Sequence, residues 1–395
     1  MKDFISALTR KDVQTFIADH EQSDLQKLLL KQKEVLGIPT SWVVQQIQGR
    51  RKAKEKLPLW YKTEGILYPP AVSLEQCSSE ITAHYKQQLV SGHHAADITG
   101  GFGVDTFYLS HVFDLVDYVE PDGNLLTIAQ HNHGLLGANN IRYNHMTAEM
   151  FLRSKDEAFD LIFVDPSRRS GGRKVVRLQD CEPNVVELKS ILLKKSRQVL
   201  IKSSPMLDLV HAQKEIKTLD QFIVLSVENE CRELLITLKR TSPDDPTIHS
   251  VDVDREGEPT LFAFTWALEK EARVKYSVPL DYIYEPNAAI LKAGAFKLTA
   301  ERFHFYKLAP DTHLYTFQER VSEFPGRIFK VIEVVKPDKN LKEKFKSKYA
   351  NIITRNYPLT VEEVKKKTGL EEGGTHYLIC TRAEKPIVLI AERLK

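Results

Sequence analysis

Residues 95–105, AADITGGFGVD, place three glycines directly after a short apolar run that ends in Asp97. Gly100, Gly101 and Gly103 let the backbone turn sharply from a strand into a helix, and they lack the Cβ atoms that would hold a ligand away from the main chain. The N–H groups of such a turn, at the beginning of a helix, form a binding site for nucleoside-type ligands. An ordinary tight turn is the alternative, and the downstream residues decide between the two.

The spacing of the glycines differs from two other phosphate-binding patterns. No Lys-Ser or Lys-Thr pair follows them, which excludes the cradle of P-loop proteins. The chain also lacks the last glycine of the full dinucleotide-binding pattern, Gly-x-Gly-x-x-Gly.

Apolar strands alternate with helices after the glycine turn. Strands are predicted at 95–99, 115–120, 141–144, 159–164 and 198–203, with helices between them. Such βα repetition predicts a parallel sheet covered by helices on both faces. Two more strands, QFIVLSV at 221–227 and ELLITLK at 233–239, follow each other closely and predict a hairpin whose last strand is antiparallel. The expected fold class is α/β, with a Rossmann-like seven-stranded sheet.

The regions on either side of this sheet predict further domains. Apolar residues at helical spacing predict a helical N-terminal region over 1–65. A linker rich in Ser, Pro and Asp at 242–246 ends the α/β domain, which is predicted over 66–242. The mixture of strands and helices after it predicts α+β structure, with a ferredoxin-like domain over 243–325 and a last domain over 326–395.

A basic run lies in the N-terminal region, on a helix that begins at Ser41 and is expected to end at Pro58. Between positions 50 and 62 one acid, Glu55, accompanies six basic residues. These are Arg50, Arg51, Lys52, Lys54, Lys56 and Lys62. They form either a solvated helix face or a set of cations beside a groove.

The composition restricts the class of protein. The chain has 395 residues, 42% of them hydrophobic, which is enough for two or three domains with their own cores and excludes a disordered chain. Its net charge of +3 excludes a polycation, so any contact with nucleic acid must come from a local patch.

The four cysteines are scattered, at Cys77, Cys181, Cys231 and Cys380. They form no CxxC pair and no zinc-type spacing with histidine, so no metal site is predicted and a reducing compartment is expected. The first residues lack an apolar leader, and no window of about 18 apolar residues is present. We therefore expect a cytoplasmic protein that does not contact a membrane.

Acidic residues follow two of the predicted strands. Glu120 comes 20 residues after Gly100, where an acid can accept both hydroxyls of a ribose, although a surface acid in the turn Glu-Pro-Asp-Gly is the alternative. Asp165 follows another strand, beside the crevice in which a second substrate must bind. Three arginines come next, Arg168, Arg169 and Arg173, and they predict a clamp for phosphate or carboxylate groups; a basic loop without substrate contact is the alternative.

Taken together, the segments DITGGFGVD, YVEPDG, FDLIFVDPSRRSGGR and LIKSSP resemble the motifs of class I S-adenosylmethionine-dependent methyltransferases. More closely, QIQGRRKAKEKLPLW, EQCSSEITAHYK, IYEPNAAILKAGAF and NIITRNYPLTVEEVKKK resemble an uncharacterised bacterial family of these enzymes, which has a helical N-terminal region and a C-terminal THUMP-like domain. This resemblance covers nearly the full length. It implies S-adenosylmethionine as the cofactor and a THUMP-like domain over 326–395, and true THUMP domains bind tRNA.

The resemblance also implies how the cofactor is held. Asp97 is expected to bind its methionine amino group directly or through water, and Asp105 either does the same or caps the following helix. Many methyltransferases have an acid after the third strand that pairs with the adenine amino group, but this chain has Asn-His-Met-Thr-Ala at 144–148. The Thr147 hydroxyl or backbone amides are therefore expected to bind the adenine.

The acceptor side departs from the family pattern. In amino-methyltransferases, Asp/Asn-Pro-Pro-aromatic holds the target amine by the acid and a backbone carbonyl. Here Asp165 and Pro166 are present, but Ser167 and Arg168 replace the last two positions, so stacking on an aromatic ring is lost. Asp165, Pro166 and Ser167 are expected to orient the acceptor nitrogen.

Covalent catalysis through a cysteine is disfavoured. RNA uridine-C5 methyltransferases have a cysteine after the fifth strand, where this chain has Ser204, and a hydroxyl lacks the nucleophilicity of a thiolate. Cys231 is the one thiol that could lie near the crevice, and we expect it to be structural or to have no role.

The leading hypothesis is methyl transfer to a base in structured RNA, either rRNA or tRNA, and no sequence-specific contact with DNA is expected. Backbone phosphates would be held by Arg168, Arg169, Arg173, Arg50, Arg51, Lys52 and Lys54. One alternative is methylation of a protein or a small anionic metabolite held by the arginine loop. Another is a non-catalytic RNA-binding scaffold on the same fold.

Overall fold

The structure, a computed structural model, describes residues 2–168, 177–335, 339–345 and 348–394. The chain forms two compact units, one of Met1–Phe222 with Arg232–Pro243 and one of Ile223–Cys231 with Asp244–Lys395. The predicted division into four domains at 65, 242 and 325 stays a prediction.

The first unit begins with helices and one short hairpin. These elements are α1 (Lys2–Leu8), α2 (Lys11–Asp19), α3 (Leu25–Lys31), β1 (Glu34–Val35), β2 (Ile38–Pro39), α4 (Thr40–Lys56), α5 (Pro58–Lys62), α6 (Ala71–Gln76) and α7 (Glu80–Gln88). Their apolar faces bury Trp60, Val43 and Ile47 completely, and Phe107 of the following domain packs into the same cluster. Pro58 begins α5 after α4 has ended at Lys56, because its fixed φ suits the first position of a helix.

The central sheet of this unit has apolar strands, connected mainly by helices. In chain order, the elements from β3 to β11 are β3 (Gly92–Asp97), α8 (Val104–Leu109), β4 (Phe113–Val119), α9 (Gly123–Leu135), β5 (Ile141–Asn144), α10 (Ala148–Ser154), β6 (Phe159–Val164), β7 (Ser167–Arg168), a 3-10 helix (Leu178–Asp180), β8 (Cys181–Glu182), α11 (Val185–Lys195), β9 (Ser196–Ser203), α12 (Leu209–Ile216), β10 (Gln221–Val227) and β11 (Glu230–Lys239). Strands β7 and β8 form a separate two-stranded sheet.

The strand order in this unit is β5-β4-β3-β6-β9-β11. All neighbours are parallel except β11, which is antiparallel to β9. The boundary between the units falls within β10, and the turn Glu228–Asn229 after it has φ values of 50° and 65°, which are typical of a type I′ hairpin turn. The predicted fold class, a Rossmann-like class I methyltransferase sheet, is confirmed.

The second unit is α+β, as predicted. A hairpin of β12 (Thr247–Val253) and β13 (Pro259–Phe264) comes first. It is followed by α13 (Trp266–Glu271), β14 (Lys275–Tyr276), β15 (Tyr282–Pro286), α14 (Ala288–Ala293), α15 (Lys297–Arg302), β16 (Tyr306–Ala309), β17 (Thr312–Phe317), β18 (Gly326–Val335), a 3-10 helix (Lys339–Lys344), β19 (Asn351–Thr354), α16 (Val361–Thr368), β20 (His376–Arg382) and β21 (Pro386–Arg393). Strands β14 to β21 form one eight-stranded sheet in the order β14-β16-β17-β15-β18-β21-β20-β19.

One local expectation fails in this unit. The sequence pattern predicts a single helix over 287–303, but the structure has two short helices separated at Gly294. Gly294 ends α14 in the left-handed conformation, with a φ of 84°, which breaks the helical path.

The helices in the described part of the chain include none that is long and apolar enough to span a membrane. The longest of the helices described above, α4, has 17 residues.

Candidate functional site

The glycine turn connects β3 to α8 and is held by two buried aromatic side chains. Tyr118 donates its hydroxyl to the Gly101 carbonyl at 2.6 Å, and His133 Nε2 lies 2.8 Å from the Gly103 carbonyl oxygen. A Cβ atom at Gly100 would lie 2.3 Å from the Tyr118 ring, and one at Gly103 would lie 2.5 Å from His133 Nε2. Both positions therefore require glycine, because a side chain there would collide with these two rings. Burial lowers the pKa of His133 to about 4, so the neutral ring donates to Gly103 at pH 7.

Gly101 is the open position of the turn. Its φ is +56°, and the nearest atom to a Cβ built there is the Thr99 carbonyl oxygen, 3.7 Å away. The Gly101 N–H donates to Glu120 Oε2 at 2.9 Å, and Glu120 Oε1 accepts from the Asp122 N–H at 2.8 Å. Each oxygen of this buried carboxylate keeps a further lone pair for a ligand hydroxyl. Burial raises the pKa of Glu120.

Asp97 lies at the carboxyl end of β3 and is almost fully buried. Its Oδ2 accepts from the Thr106 hydroxyl at 2.6 Å, and its Oδ1 accepts from the Thr99 N–H at 3.1 Å. Burial raises the pKa of Asp97 to about 7, and the neighbouring carboxylates of Asp105 and Asp165 act in the same direction. A carboxyl group whose pKa lies near 7, beside other acids, favours binding of a ligand that brings a positive charge.

Asp105 belongs to a buried ion-pair cluster. It does not cap α8, because the N-cap residue of this helix is Gly103. Asp105 Oδ1 lies 2.8 Å from Lys86 Nζ, and Oδ2 accepts from the Ser78 hydroxyl at 2.7 Å. Lys86 Nζ also lies 2.6 Å from Glu233 Oε2. The Lys86 and Glu233 side chains are 3% and 6% exposed, so these charges neutralise one another inside the protein.

Asp165 meets the same cluster through a residue that the sequence analysis did not assign. In the parallel pair of β6 and β9, Val164 lies opposite Ile201, so Asp165 and Lys202 come next to each other where the strands end. Lys202 Nζ binds Asp165 Oδ2 and lies 3.9 Å from Asp105 Oδ2. The Asp165 N–H donates to the Thr99 hydroxyl at 2.6 Å. The structure thus brings Asp97, Asp105 and Asp165 together beside the glycine turn.

The residues after Asp165 are described only in part. Pro166 is half-buried and Ser167 is exposed, with the Ser167 hydroxyl 3.4 Å from the Glu182 carbonyl oxygen. Arg168 lies in β7, and its backbone pairs antiparallel with that of β8. Arg169 and Arg173 lie outside the described residues. The predicted arginine clamp stays a prediction.

Thr147 lies at the beginning of α10 and is exposed. Its hydroxyl accepts from the Met150 N–H at 3.3 Å, which is the hydrogen bond of a helix N-cap. The structure gives Thr147 this structural contact, and its role toward an adenine stays a prediction.

The basic run makes mostly internal contacts. Arg50 Nε lies 2.9 Å from Glu21 Oε2, Arg51 donates to the carbonyls of Glu21 and Ser23, and Lys52 pairs with Glu75. Within the described part of the chain, Lys54 takes part in no salt bridge, and its ammonium lies 5.9 Å from the Tyr61 ring centre. The run therefore fastens the N-terminal helices, and its predicted role toward RNA stays a prediction.

Five residues of the site were missed by the sequence analysis: Tyr118, His133, Lys86, Lys202 and Glu233. A lysine at the end of the buried run Val-Leu-Ile in β9 is unusual, because an unpaired charge is rarely buried, and Lys202 could have been singled out on that ground. Lys86 lies on a helix, where lysines are common, and nothing in its local sequence marks it as buried.

Three possible metal ligands, His94, Asp117 and Glu157, lie within 4.8 Å of one another elsewhere in this unit. Arg142 already binds both carboxylates, at 2.5 Å from Asp117 Oδ2 and 2.8 Å from Glu157 Oε2. The guanidinium supplies the positive charge that a metal ion would bring, so the group is an ion-pair network.

Comparisons with known proteins find similarities in the C-terminal part of the chain and over its full length. Family models match a ferredoxin-like domain over 282–325 and a THUMP domain-like region over 326–393. Among solved structures, the chain is similar to a candidate methyltransferase from Porphyromonas gingivalis W83, with a TM-score of 0.87 and 28% sequence identity over 100% of this chain and 99% of that chain. No curated protein matches the chain.

More distant similarities involve shorter segments. A candidate methyltransferase from Streptococcus mutans, solved in complex with SAH, covers 40% of this chain and 96% of its own length, at 12% identity and a TM-score of 0.30. An rRNA methylase from Streptococcus thermophilus covers 41% and 96%, at 14% identity and a TM-score of 0.31. The chain has the class I methyltransferase fold, and over its full length it resembles the methyltransferases with a C-terminal THUMP-like domain.

Proposed function

We propose that this chain is an S-adenosylmethionine-dependent methyltransferase that acts in the cytoplasm on a base in structured rRNA or tRNA. The observation that carries the proposal is the open backbone at Gly101, whose N–H is held by the buried carboxylate of Glu120 at the end of the neighbouring strand. This pairing of a bare turn with an acid on the next strand is the arrangement that binds a nucleoside.

The residues present fit S-adenosylmethionine. A Cβ at Gly101 would meet no atom closer than the Thr99 carbonyl oxygen at 3.7 Å, so a ligand can approach the turn there, and Glu120 can accept the ribose hydroxyls. Asp97, with its pKa near 7, can bind the methionine amino group. The bound cofactor would supply a methyl group activated by its sulfonium, while the chain's own residues orient the acceptor beside Asp165.

The RNA part of the proposal is supported by the THUMP-like region at 326–393. Exposed Lys54 is a possible phosphate contact in the first unit, and Lys52 would become one if it exchanged Glu75 for a phosphate.

Titration calorimetry with S-adenosylhomocysteine tests the cofactor part. The wild-type protein should bind it, and Gly101→Val should abolish binding, because the side chain covers the turn. Gly137→Val is the matched control, because Gly137 also has a positive φ of +83° and open space around it but lies at the end of α9. Absence of binding to the wild type, or equal losses in both variants, would contradict the proposal.

Binding to total RNA from a deletion strain, measured at several salt concentrations, tests the RNA part. Lys52→Glu together with Lys54→Glu should weaken binding and reduce the slope of log K against log salt by about 1 to 2, because each lost phosphate contact lowers it by about 0.7–0.9. Exposed Lys214→Glu on α12 is the control, with an unchanged slope. An acceptor in cell extract that survives ribonuclease would instead favour a protein or a small metabolite.

A further inference from the structure

The glycine turn is closed by hydrogen bonds of its own backbone. The Gly103 N–H donates to the Gly100 carbonyl at 2.9 Å, which makes residues 100–103 one four-residue turn. The Gly100 N–H donates to the Val119 carbonyl at the end of β4, at 2.8 Å. Gly101 and Phe102 are therefore the central residues of the turn, and the Phe102 side chain is buried in the apolar cluster that the N-terminal helices form.

Two side chains bind the carbonyl groups of this turn. The Tyr118 hydroxyl donates to the Gly101 carbonyl, and His133 Nε2 lies 2.8 Å from the Gly103 carbonyl oxygen. The same Gly103 oxygen accepts the Phe107 N–H at 2.9 Å, which is the first hydrogen bond of α8. Gly103 is thus the residue at which the turn, the helix behind it and the His133 ring on α9 meet.

The neighbours of His133 determine which ring nitrogen carries the hydrogen. A carbonyl oxygen can only accept, so the hydrogen between His133 and Gly103 lies on Nε2. Burial lowers the pKa of His133 to about 4, so at pH 7 the ring is neutral and Nδ1 carries no hydrogen. Nδ1 therefore accepts from the Tyr143 hydroxyl, 3.0 Å away, and burial raises the pKa of Tyr143, so this hydroxyl keeps its hydrogen.

The His133 ring is also fixed by its packing. The side chain is fully buried, and its ring centre lies 6.0 Å from the ring centres of Tyr118 and Tyr143 and 6.4 Å from that of Phe107. A side chain enclosed by other rings in a close-packed interior stays in one rotamer. His133 therefore links Gly103 in the turn to Tyr143 on β5 through two hydrogen bonds of fixed direction.

We infer that His133 is a positioning residue for the cofactor, which acts through the Gly103 carbonyl and holds the glycine turn in the conformation that leaves Gly101 open beside Glu120. The inference rests on the proposed function and adds a residue to its site. Glycines reach many backbone conformations at low cost, so a turn built from them needs outside contacts to stay in one. Without the His133 donor, a smaller fraction of the protein has the binding conformation, and the apparent affinity falls by that fraction.

The first experiment determines the tautomer of His133 in the ligand-free protein. Nitrogen NMR of labelled histidine, with the His133 signals assigned from His133→Gln, should show a neutral ring at pH 7 with its hydrogen on Nε2. Tyr143→Phe should change the Nδ1 signal, because Nδ1 loses its donor, and should leave the hydrogen on Nε2. A charged ring at pH 7, a hydrogen on Nδ1 in the wild type, or an Nδ1 signal that ignores Tyr143→Phe would overturn the inference.

The second experiment measures S-adenosylhomocysteine binding by titration calorimetry. His133→Leu should raise the Kd by about 2–10-fold, the factor that corresponds to the net contribution of one hydrogen bond. His133→Gln should bind more tightly than His133→Leu, because its amide nitrogen can donate to the same carbonyl.

His131→Leu is the matched control for this measurement. His131 is on the same helix, and its Nε2 lies 3.0 Å from the carbonyl oxygen of Gly65, a glycine outside the turn with a φ of +82°. The contact is of the same kind but holds a different segment, so His131→Leu should keep the wild-type Kd.

Urea denaturation of the same variants separates positioning from folding. A merely structural role would lower the stability of His133→Leu and leave the Kd of its folded form unchanged, and this outcome would overturn the inference. Equal increases of the Kd in His133→Leu and His131→Leu, or no rescue by His133→Gln, would overturn it as well. If His133→Leu does not fold, His133→Asn takes its place, because its shorter amide does not reach the Gly103 carbonyl.

The two levels of the proposal fail in different ways. A wild-type protein that does not bind S-adenosylhomocysteine contradicts the proposed function and, with it, the inference. A wild-type protein that binds it, with an unchanged Kd in His133→Leu, keeps the proposed function and loses only the inference.

Discussion

Asp97 and His133 both lie buried next to the glycine turn, and burial shifts both of them toward their uncharged forms. The pKa of Asp97 is raised to about 7, and that of His133 is lowered to about 4. The consequences for stability are opposite. Ionisation of Asp97 destabilises the folded state as the pH rises, whereas protonation of His133 destabilises it as the pH falls. In the wild type these two effects partly cancel between about pH 4 and 6.5.

Asp97→Asn should therefore change how stability depends on pH. Between the ordinary carboxyl pKa of 3.8 and about 7, the folded protein binds more protons at Asp97 than the unfolded chain does, so its free energy of unfolding falls as the pH rises. The full effect is about 4 kcal/mol at 1.36 kcal/mol per unit. Urea denaturation at pH 5 and pH 8 should show that Asp97→Asn gains stability relative to the wild type at the higher pH.

The exposed Asp156→Asn, in the same unit, is the control for this measurement and should follow the wild type at both pH values. If Asp97→Asn also followed the wild type, Asp97 would be ionised in the folded protein well below neutral pH.

At the scale of elements, the extended segment before the first central strand is held by two side-chain amides. Asn132 on α9 accepts from the Leu67 N–H at 2.9 Å and donates to the Leu67 carbonyl at 2.8 Å. Gln46 on α4 makes the same pair of hydrogen bonds with Tyr68, at 2.7 and 3.0 Å. The segment thus obtains the backbone partners that a neighbouring strand would otherwise give it.

Asn132→Leu should destabilise the first unit by about 1–3 kcal/mol for each Leu67 backbone group left buried without a partner. Urea denaturation measures the loss, and limited proteolysis should show faster cleavage near residues 66–70. Exposed Asn124→Leu, on the same helix, should change neither. Equal proteolysis of the two variants would show that the Asn132 amide does not hold the segment.

At the scale of the whole molecule, each unit has its own core and its own buried ion pairs. In the second unit Glu285, with a side chain 3% exposed, is bound by two arginines. Arg327 Nε lies 2.7 Å from Glu285 Oε2, and Arg355 Nη2 lies 2.7 Å from Oε1. Glu285 belongs to the ferredoxin-like region and both arginines belong to the THUMP-like region, so this cluster joins the two within the unit.

Glu285→Gln should lower the stability of the second unit by about 1.5–3 kcal/mol, because two partly exposed arginines lose their charge-assisted hydrogen bonds to a buried carboxylate. We expect scanning calorimetry to show two transitions, one for each unit, with only one of them lowered in this variant. Exposed Glu392→Gln on β21 should leave both transitions in place. A uniform shift of both transitions by Glu285→Gln would contradict the assignment of separate units.

Local elements were predictable because their causes lie in consecutive residues. The strand, the glycine turn and the helix after residue 95 follow from a short apolar run, from three glycines close together and from the residues behind them that can begin a helix. The α/β repetition and the seven strands follow from periodicity in the same way. Periodicity alone failed at Gly294. The apolar pattern continues through this position, but one residue in a left-handed conformation divides the helix.

The sequence by itself determined the fold class, the glycine turn and the acids Asp97, Glu120 and Asp165 at strand ends. Only the tertiary structure decided that Lys202 binds Asp165, 37 residues away, and that Lys86 binds Glu233, 147 residues away. It also decided that Arg50 binds the Glu21 carboxylate and that Arg51 donates to the Glu21 carbonyl. The physical reason is that periodicity and turn chemistry act between neighbours in the chain, whereas a buried charge takes its partner from whichever strand or helix the fold places beside it.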